Sequence, residues 1–299
     1  MRPTSIEARA AALIHFPMSP IHQPPRGHGA LFVLGAADPE MHAIEGLLDE
    51  VQAPYVVATI GRKRVHPGNA YRAAMPPAAM AALRDGRDVY LVECIGDAPR
   101  AARRIDHHRP GDPGYGQPPA GFWAASSLGQ TVAALRMHLA RDIAVTPGMR
   151  LVAAADHCLG AAYRGECPGV EPEALLAWHV ASRAAFEQRS VSALLRDMEA
   201  SRLALRCAPR VSLAPDIQVA DMRTQAAPEL LLAAAREGQC CLSAVRARDG
   251  RTKIGCLVGS PLQVSAFMQS WAPAQHLVDI YGDPVRGFAG AYVVAAGHA

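Results

Sequence analysis

Apolar positions follow two different spacings along the first half of the chain. Short continuous apolar runs, which are typical of buried strands, occur at 31–34, 55–58, 89–92 and 151–155, with a shorter run that ends at Ile105. Between the first two runs the apolar residues recur at helical spacing: Met41, Ile44, Leu47, Leu48 and Val51. Further helices are predicted near 77–84 and around 127–140. Alternating strands and helices predict an α/β fold, a parallel sheet with helices on both faces.

The second half predicts a smaller C-terminal α/β lobe. Residues 172–205 have the spacing of one or two helices, and helices are also predicted over 228–236 and 261–271. Strands are predicted over 217–220, 240–247 and 252–258, the last two joined by an Asp249-Gly250 turn, before a glycine-rich ending at 282–294. The predicted organisation is an irregular arm (1–29), a first α/β domain (30–170), a helical connector (171–208) and a C-terminal domain (209–299).

Composition narrows the class of protein. Half of the 299 residues are hydrophobic, which suits a globular protein with ample core. The net charge of +3 is too small to indicate nucleic-acid binding by itself. Seven cysteines without CxxC spacing indicate reduced thiols, and no apolar run is long enough for a signal peptide or a membrane span. We therefore expect a cytoplasmic protein with no membrane partner.

Acidic and histidine residues follow the apolar runs in four places. The clusters are Asp38-Pro39-Glu40, Glu93, Asp106-His107-His108 and Asp156-His157. Because ligands of an open α/β sheet gather at the carboxyl ends of its strands, the four clusters are expected to meet there. Carboxylates favour Mg²⁺ or Mn²⁺, and imidazole shifts the preference toward Mn²⁺ or Zn²⁺.

Each cluster also has an interpretation without a metal, which for Glu93 is an ordinary acid at the end of a strand. Asp38 precedes a proline at a helix start and suits an N-cap. The pair His107-His108 suits a surface loop before Pro110. His157 could be an additional ligand, but it also suits a buried histidine whose hydrogen bonds are satisfied.

The run Ile105-Asp106-His107-His108-Arg109-Pro110-Gly111 resembles the signature of the DHH phosphoesterase superfamily, in a divergent form. That superfamily includes RecJ-like exonucleases, oligoribonucleases and cyclic-dinucleotide phosphodiesterases. Its other motifs have counterparts here in the same order: Asp38-Pro39-Glu40, Glu93, the serine-containing helix start 125–130, Asp156, and the glycine-rich segment 282–291. The resemblance extends over nearly everything from Ala30 onward.

The resemblance implies a role for each matching residue. Asp38, Glu40, Glu93, His107 and Asp156 would bind one or two Mn²⁺ or Mg²⁺ ions. Asp106 would orient His107, and His108 and Arg109 would face the substrate phosphate, so that these three residues form the catalytic group. Arg286, Gly287 and Gly290 of the C-terminal domain would bind substrate. The implied activity is hydrolysis of a nucleotide, short oligonucleotide or related phosphodiester between the two domains, by a protein of a family in which homodimers are common.

The chain departs from the family pattern at three positions. Glu40 and Glu93 stand where the family has aspartate, and a glutamate reaches one methylene further. The C-terminal segment lacks the family's histidine, whose contact Arg286 would replace. These departures leave a second function open, that of a catalytically degenerate relative which binds metal or a nucleotide as a sensor or assembly partner. A third interpretation, in which the Asp-His-His run is accidental in an unrelated α/β enzyme, also remains.

Overall fold

A computed structural model describes residues 29–140, 142–247 and 250–294. The described residues form two compact units. The N-terminal unit comprises residues 29–115 and 121–157, and the C-terminal unit comprises residues 116–120 and 158–294. Residues 1–28 of the predicted arm (1–29) lie outside the described residues, as does Asp249 of the predicted turn. No helix within the described ranges is both long and apolar enough to cross a membrane.

The N-terminal unit is built on a parallel sheet of four strands. Its strands are β1 (Ala30–Leu34), β2 (Tyr55–Val57), β5 (Asp88–Val92) and β6 (Arg103–Ile105), in the order β2-β1-β5-β6. A separate short hairpin consists of β3 (Thr59–Ile60) and β4 (Lys63–Arg64). Leu34, Val92 and Ile105 are paired in register, so β1, β5 and β6 end side by side. The residues that follow these three strands therefore meet at one edge.

Helices cover both faces of this sheet, as the hydrophobic pattern predicts. The helices are α1 (Pro39–Glu50), α2 (Pro77–Arg84), α3 (Phe122–Ala125), α4 (Ser127–Leu139) and α5 (Pro147–Tyr163). On one face, Leu31 and Val33 share a core with Ala79 and Ala82 of α2. On the other face, Phe32 and Tyr90 stack at 5.1 Å, and the hydroxyl of Tyr90 lies 2.9 Å from His138 of α4. Successive strand residues point to opposite faces, and the central strands β1 and β5 are buried on both sides.

The predicted strand over 151–155 is wrong. These residues form the middle of helix α5, and residues 151–154 are all buried. A helix buried all round has no polar side to break the apolar run, so its pattern looks like that of a buried strand. Alanine supplies most of the run and favours helix over strand. Asp156 and His157 consequently extend from a helix rather than from a strand end, and the backbone becomes non-helical one residue later, at Cys158.

The C-terminal unit carries a six-stranded mixed sheet in the order β11-β12-β10-β9-β8-β7. Its strands are β7 (Arg210–Ala214), β8 (Ile217–Asp221), β9 (Cys241–Arg246), β10 (Thr252–Leu257), β11 (Val278–Asp283) and β12 (Phe288–Tyr292). Strands β8 and β9 run parallel, and every other pair is antiparallel. The sequence does not predict strand β7. This strand begins with the exposed Arg210 and has only Leu213 buried, so it lacks a recognisable apolar run.

Helices of the C-terminal unit match the predicted segments. They are α6 (Pro172–Glu187), α7 (Val191–Cys207), α8 (Leu230–Glu237) and α9 (Pro261–Ala266), the last continuing through Phe267–Trp271 and Ala272–Ala274. The predicted segment 172–205 is two helices. Gln188 ends the first in the left-handed conformation, and the hydroxyl of Ser190 caps the second. Phe267 and Trp271 stack in the core of this unit.

Candidate metal centre

The Asp-His-His turn follows β6 and is held by the carboxylate of Asp106. Its Oδ1 accepts the backbone N–H groups of His107 and His108 at 2.7 and 3.0 Å and lies 3.1 Å from His108 Nδ1. Its Oδ2 accepts the hydroxyl of Tyr71 at 2.9 Å. Burial works against ionisation, but the hydrogen bonds from His108 and Tyr71 outweigh it and lower the pKa of Asp106 to about 2. Asp106 is therefore ionised at neutral pH and fixes the backbone of the turn.

Helix α4 ties the same turn to the sheet. The side-chain amide of Gln130 donates to the backbone carbonyl of Asp106 at 3.1 Å, and its oxygen accepts the backbone N–H of Asp106 at 3.3 Å. Gly114 closes the turn from the other side by donating its N–H to the same carbonyl. The serine-containing helix start 125–130 thus positions the turn, through Gln130.

His107 is fully buried at the centre of a group of carboxylates. Its Nε2 lies 2.8 Å from Asp156 Oδ2, 3.6 Å from Glu93 Oε1 and 3.8 Å from Glu40 Oε2. One ligand atom from each of Glu93, His107, His108 and Asp156 lies within 4.8 Å of the others. The structure therefore brings three predicted ligands, Glu93, His107 and Asp156, together with His108, for which the resemblance implies a contact with substrate.

The acids of this group repel one another, which favours the binding of a cation between them. Burial raises the pKa of Glu93 well above its ordinary value, and the charges of Asp38, Glu40, Asp156 and Asp106 raise it further. Burial and the charge of Asp156 likewise raise the pKa of Asp38 to about 6. Glu93 Oε1 is buried and accepts no hydrogen bond within the described part of the chain. Two imidazoles and two carboxylates form a donor set that fits a divalent cation, which would favour the ionised form of each acid.

The backbone of Glu93 has an unfavourable conformation that the surrounding structure must hold in place. Its φ is +52°, in the left-handed region that residues with a side chain seldom adopt. The end of β1 passes so close that a Cβ on Gly35 would lie 2.4 Å from the carbonyl oxygen of Glu93. Only glycine fits at position 35, and the strained residue is the one whose side chain faces the candidate ligands.

Asp38 and Glu40 lie at the start of α1, outside the group that shares the 4.8 Å limit. Asp38 Oδ1 accepts the backbone N–H of Met41 at 2.8 Å, as the N-cap interpretation predicts. Glu40 is buried, and its Oε1 accepts the backbone N–H of Leu128 at the start of α4. One oxygen of each predicted ligand is therefore occupied in holding a helix end.

His108 and Arg109 form the exposed rim of the turn. The side chain of His108 is 34% exposed, whereas that of His107 is fully buried. The guanidinium of Arg109 lies over the ring of Tyr71, 3.4 Å from its centre, and the backbone N–H of Arg109 donates to Asp112. This cation–π contact holds Arg109 beside the turn, because the hydroxyl of Tyr71 donates a hydrogen bond to Asp106.

The predicted substrate residues form a hairpin turn in the C-terminal unit. Asp283 is fully buried, and its Oδ1 accepts the backbone N–H groups of Val285 and Arg286. Arg286 is buried, with its guanidinium 5.0 Å from the ring centre of Phe288. Gly287 has a φ of +83°, which favours glycine. A Cβ on Gly290 would lie 2.7 Å from the ring of Tyr281. Turn geometry and close packing thus account for both glycines.

His157 is the buried, hydrogen-bonded histidine of the interpretation without a metal, and Tyr71 is a residue of the centre that the sequence does not single out. His157 is buried, and its Nδ1 lies 3.0 Å from His107 Nδ1, so the ring that orients His107 is His157, whereas Asp106 holds that of His108. Tyr71 contributes its hydroxyl from a short helical turn far along the chain. The sequence around Tyr71 does not identify it as part of the site, because its hydrogen bond is to Asp106, a residue that only folding brings next to it.

No protein-family model matches this chain, and no curated protein matches it.

Proposed function

We propose that this protein is a metal-dependent phosphoesterase that acts on a nucleotide, short oligonucleotide or related phosphodiester, with Mn²⁺ or Mg²⁺ as its cofactor. The supporting observation is the group Glu93, His107, His108 and Asp156, in which a buried carboxylate oxygen faces two imidazoles and accepts no hydrogen bond from the described residues. Such a donor set holds a divalent cation. A bound cation supplies an activated water and neutralises charge on phosphoryl oxygens.

Residues of the chain would bind the cation, contact the substrate phosphate and orient the ligands. Glu93 and His107 would hold the cation from the buried side, and the partly exposed Asp156 would add a third ligand. His108, also partly exposed, would add a ligand or a contact to substrate. Arg109 is exposed beside the turn and offers a planar fork of N–H donors suited to phosphate oxygens. Asp106, ionised and immobilised by its hydrogen bonds, keeps the ring of His108 in one orientation.

A second candidate function is a catalytically degenerate relative that binds one cation, or a nucleotide, as a sensor or assembly partner. The observation that favours it is the position of Glu40, one of whose oxygens caps α4 at Leu128. A carboxylate used in this way has less freedom to complete a second cation site, and two-metal hydrolysis needs both.

Calorimetric titration with Mn²⁺ tests the metal centre directly. We expect the unmodified protein to bind Mn²⁺, and Asp156→Asn to weaken binding at least tenfold because a neutral amide is a poor ligand for a hard cation. Asp97→Asn is the matched control. Asp97 is an exposed acid four residues beyond Glu93, and its loss should leave the affinity unchanged.

Hydrolysis of bis(4-nitrophenyl) phosphate, a generic phosphodiester, separates the two functions. Mn²⁺-dependent release of nitrophenol that disappears in Asp156→Asn supports the phosphoesterase. Tight binding of one Mn²⁺ without hydrolysis of this ester or of dinucleotides supports the degenerate relative. Failure of the unmodified protein to bind Mn²⁺, Mg²⁺ or Zn²⁺ would overturn the phosphoesterase and the cation-binding form of the second function.

A further inference from the structure

The segment of residues 51–84 contains no aspartate and no glutamate, although it borders a centre built from acids. It carries four arginines and one of the two lysines of the chain. Among these cations, Arg62, Lys63 and Arg72 are exposed between strand β3 and the short helical turn that contains Tyr71. A surface that has cations and lacks acids attracts polyanions, because no neighbouring carboxylate in the segment neutralises its charge.

The hairpin β3–β4 is attached to the end of strand β1. Its Arg64 donates from Nε to the backbone carbonyl of Gly35 at 2.9 Å and forms an ion pair with an acid of α1. The chain just before β3 is tied to the same strand, because Ala58 donates its N–H to Leu34 at 2.8 Å. Gly35 is also the residue that packs against the backbone carbonyl of Glu93. The hairpin is therefore fixed beside the edge at which the candidate ligands meet.

The helical turn further along this segment is fixed to the same edge. The carbonyl of Tyr71 accepts the backbone N–H of Gly96, in the loop after β5, at 2.8 Å. The hydroxyl of Tyr71 donates to Asp106, and its ring supports the guanidinium of Arg109. Arg72 is the next residue and is exposed, so it adds a cation to this border of the centre.

The hairpin carries its exposed cations beyond its anchored end. Arg62 stands in the turn two residues before Arg64, and a strand residue advances about 3.3 Å, so Arg62 lies roughly 7 Å from the anchored residue along the hairpin. Successive phosphates of a nucleic-acid strand are about 3.4 Å apart along its axis. A strand with one phosphate at the metal centre therefore needs about two further nucleotides or more to reach Arg62.

An exposed apolar side chain on the hairpin favours nucleic acid among polyanions. Ile60 pairs with Lys63 across the hairpin and is 44% exposed. A nucleobase has an apolar face that such a side chain can cover, whereas inorganic polyphosphate offers only charge. The hairpin thus presents a cation and an apolar contact side by side, as the backbone and the bases of an unpaired strand require.

We propose that Arg62, Lys63 and Arg72 form a basic rim that binds the phosphates of a single-stranded oligonucleotide beyond the phosphate that is hydrolysed. The rim holds the backbone by charge, and Ile60 contacts a base. Phosphate contacts carry no sequence information, so the rim accepts any base sequence. This inference rests on the proposed function, because it assigns the remainder of the substrate of that same centre.

Fluorescence anisotropy with a labelled ten-nucleotide oligo(dT), measured in EDTA, tests the rim without metal or hydrolysis. Each phosphate contact on a single strand contributes about 0.7 to the slope of log affinity against log salt concentration. We expect Arg62→Ser combined with Lys63→Ser to weaken binding and to lower this slope by about 1.4. The matched control is Arg84→Ser combined with Arg100→Ser, which removes the same charge at exposed positions ahead of β5 and β6 and should leave the slope unchanged.

Ile60→Ser separates nucleotides from other polyanions. We expect it to weaken binding of oligo(dT) without changing the salt slope, and to leave binding of inorganic polyphosphate unchanged. Lack of oligo(dT) binding by the unmodified protein, an equal fall in slope in the control pair, or equal effects of Ile60→Ser on the two polymers would overturn this inference alone. Intact oligo(dT) binding without Mn²⁺-dependent hydrolysis of bis(4-nitrophenyl) phosphate would support the rim and overturn the phosphoesterase.

Discussion

At the scale of residues, the carboxylate of Glu93 lowers the stability of the metal-free protein at neutral pH and at the same time serves as a proposed metal ligand. It is buried among other acids, and its pKa is raised well above the ordinary value of 4.5. A carboxyl group whose pKa is higher in the folded state stabilises the protein below pH 4.5 and costs stability as the pH rises above that value. Natural proteins accept such a cost at sites where a charge is used.

Glu93→Gln should therefore stabilise the metal-free protein at neutral pH while it weakens metal binding. In EDTA we expect an increase in the free energy of unfolding at pH 7 that shrinks toward zero near pH 4.5. Denaturant unfolding across this pH range measures it, with Asp97→Asn as the control for loss of one negative charge. A variant that is less stable than the unmodified protein at pH 7 would show that the carboxylate has a buried partner.

At the scale of elements, the turn after β6 depends on a glycine that leaves no room for a side chain. A Cβ on Gly114 would lie 2.0 Å from the carbonyl oxygen of Ala125 and 2.6 Å from the Cβ of His107. The backbone cannot move away, because Gly114 donates its N–H to Asp106. The turn from Asp106 to Gly114 and the metal candidate His107 are therefore packed tightly against each other.

Gly114→Ala should destabilise the protein by about 2–3 kcal/mol and displace His107. We expect a lower melting temperature together with weaker Mn²⁺ binding, both measured on the same preparation. Gly121→Ala is the matched control, since a Cβ at this nearby glycine would have no neighbour within 4 Å and its φ of −98° suits any residue. Full Mn²⁺ affinity in Gly114→Ala would mean that the turn can shift without moving the ligands.

At the scale of the whole molecule, every candidate ligand belongs to the N-terminal unit. A bound cation stabilises the state that binds it, by about 2.7 kcal/mol at a hundred times its dissociation constant. Its direct effect should appear in the elements that hold the ligands, at the ends of β1, β5 and β6 and in α5. The C-terminal sheet has a separate core around Phe267 and Trp271.

Hydrogen exchange with and without Mn²⁺ should locate this effect. We expect slower exchange of the amides in β1 and β5 and little change in β9 and β10. We expect the Asp156→Asn variant, which loses a proposed ligand, to show no change in either sheet on addition of Mn²⁺. Protection that is equal in β5 and β9 of the unmodified protein would indicate that the two units open together.

The sequence alone determined the strand and helix pattern around the site. The apolar runs at 31–34, 89–92 and near Ile105 predict three strands correctly, because each is bounded by polar residues or turn residues. Parallel strands end at a common edge, so the convergence of Glu93 and the Asp-His-His turn also followed from the pattern.

Tertiary structure decided what periodicity and residue type leave open. The run at 151–155 is a helix, because an element buried on all sides has the same apolar pattern in either conformation. Glu40 caps α4 through Leu128 and Asp38 caps its own helix, so carboxylates that look alike in sequence have different roles. The partner of His107 is His157, fifty residues away. Hydrogen-bond partners between distant segments depend on three-dimensional packing, and no local rule of sequence specifies them.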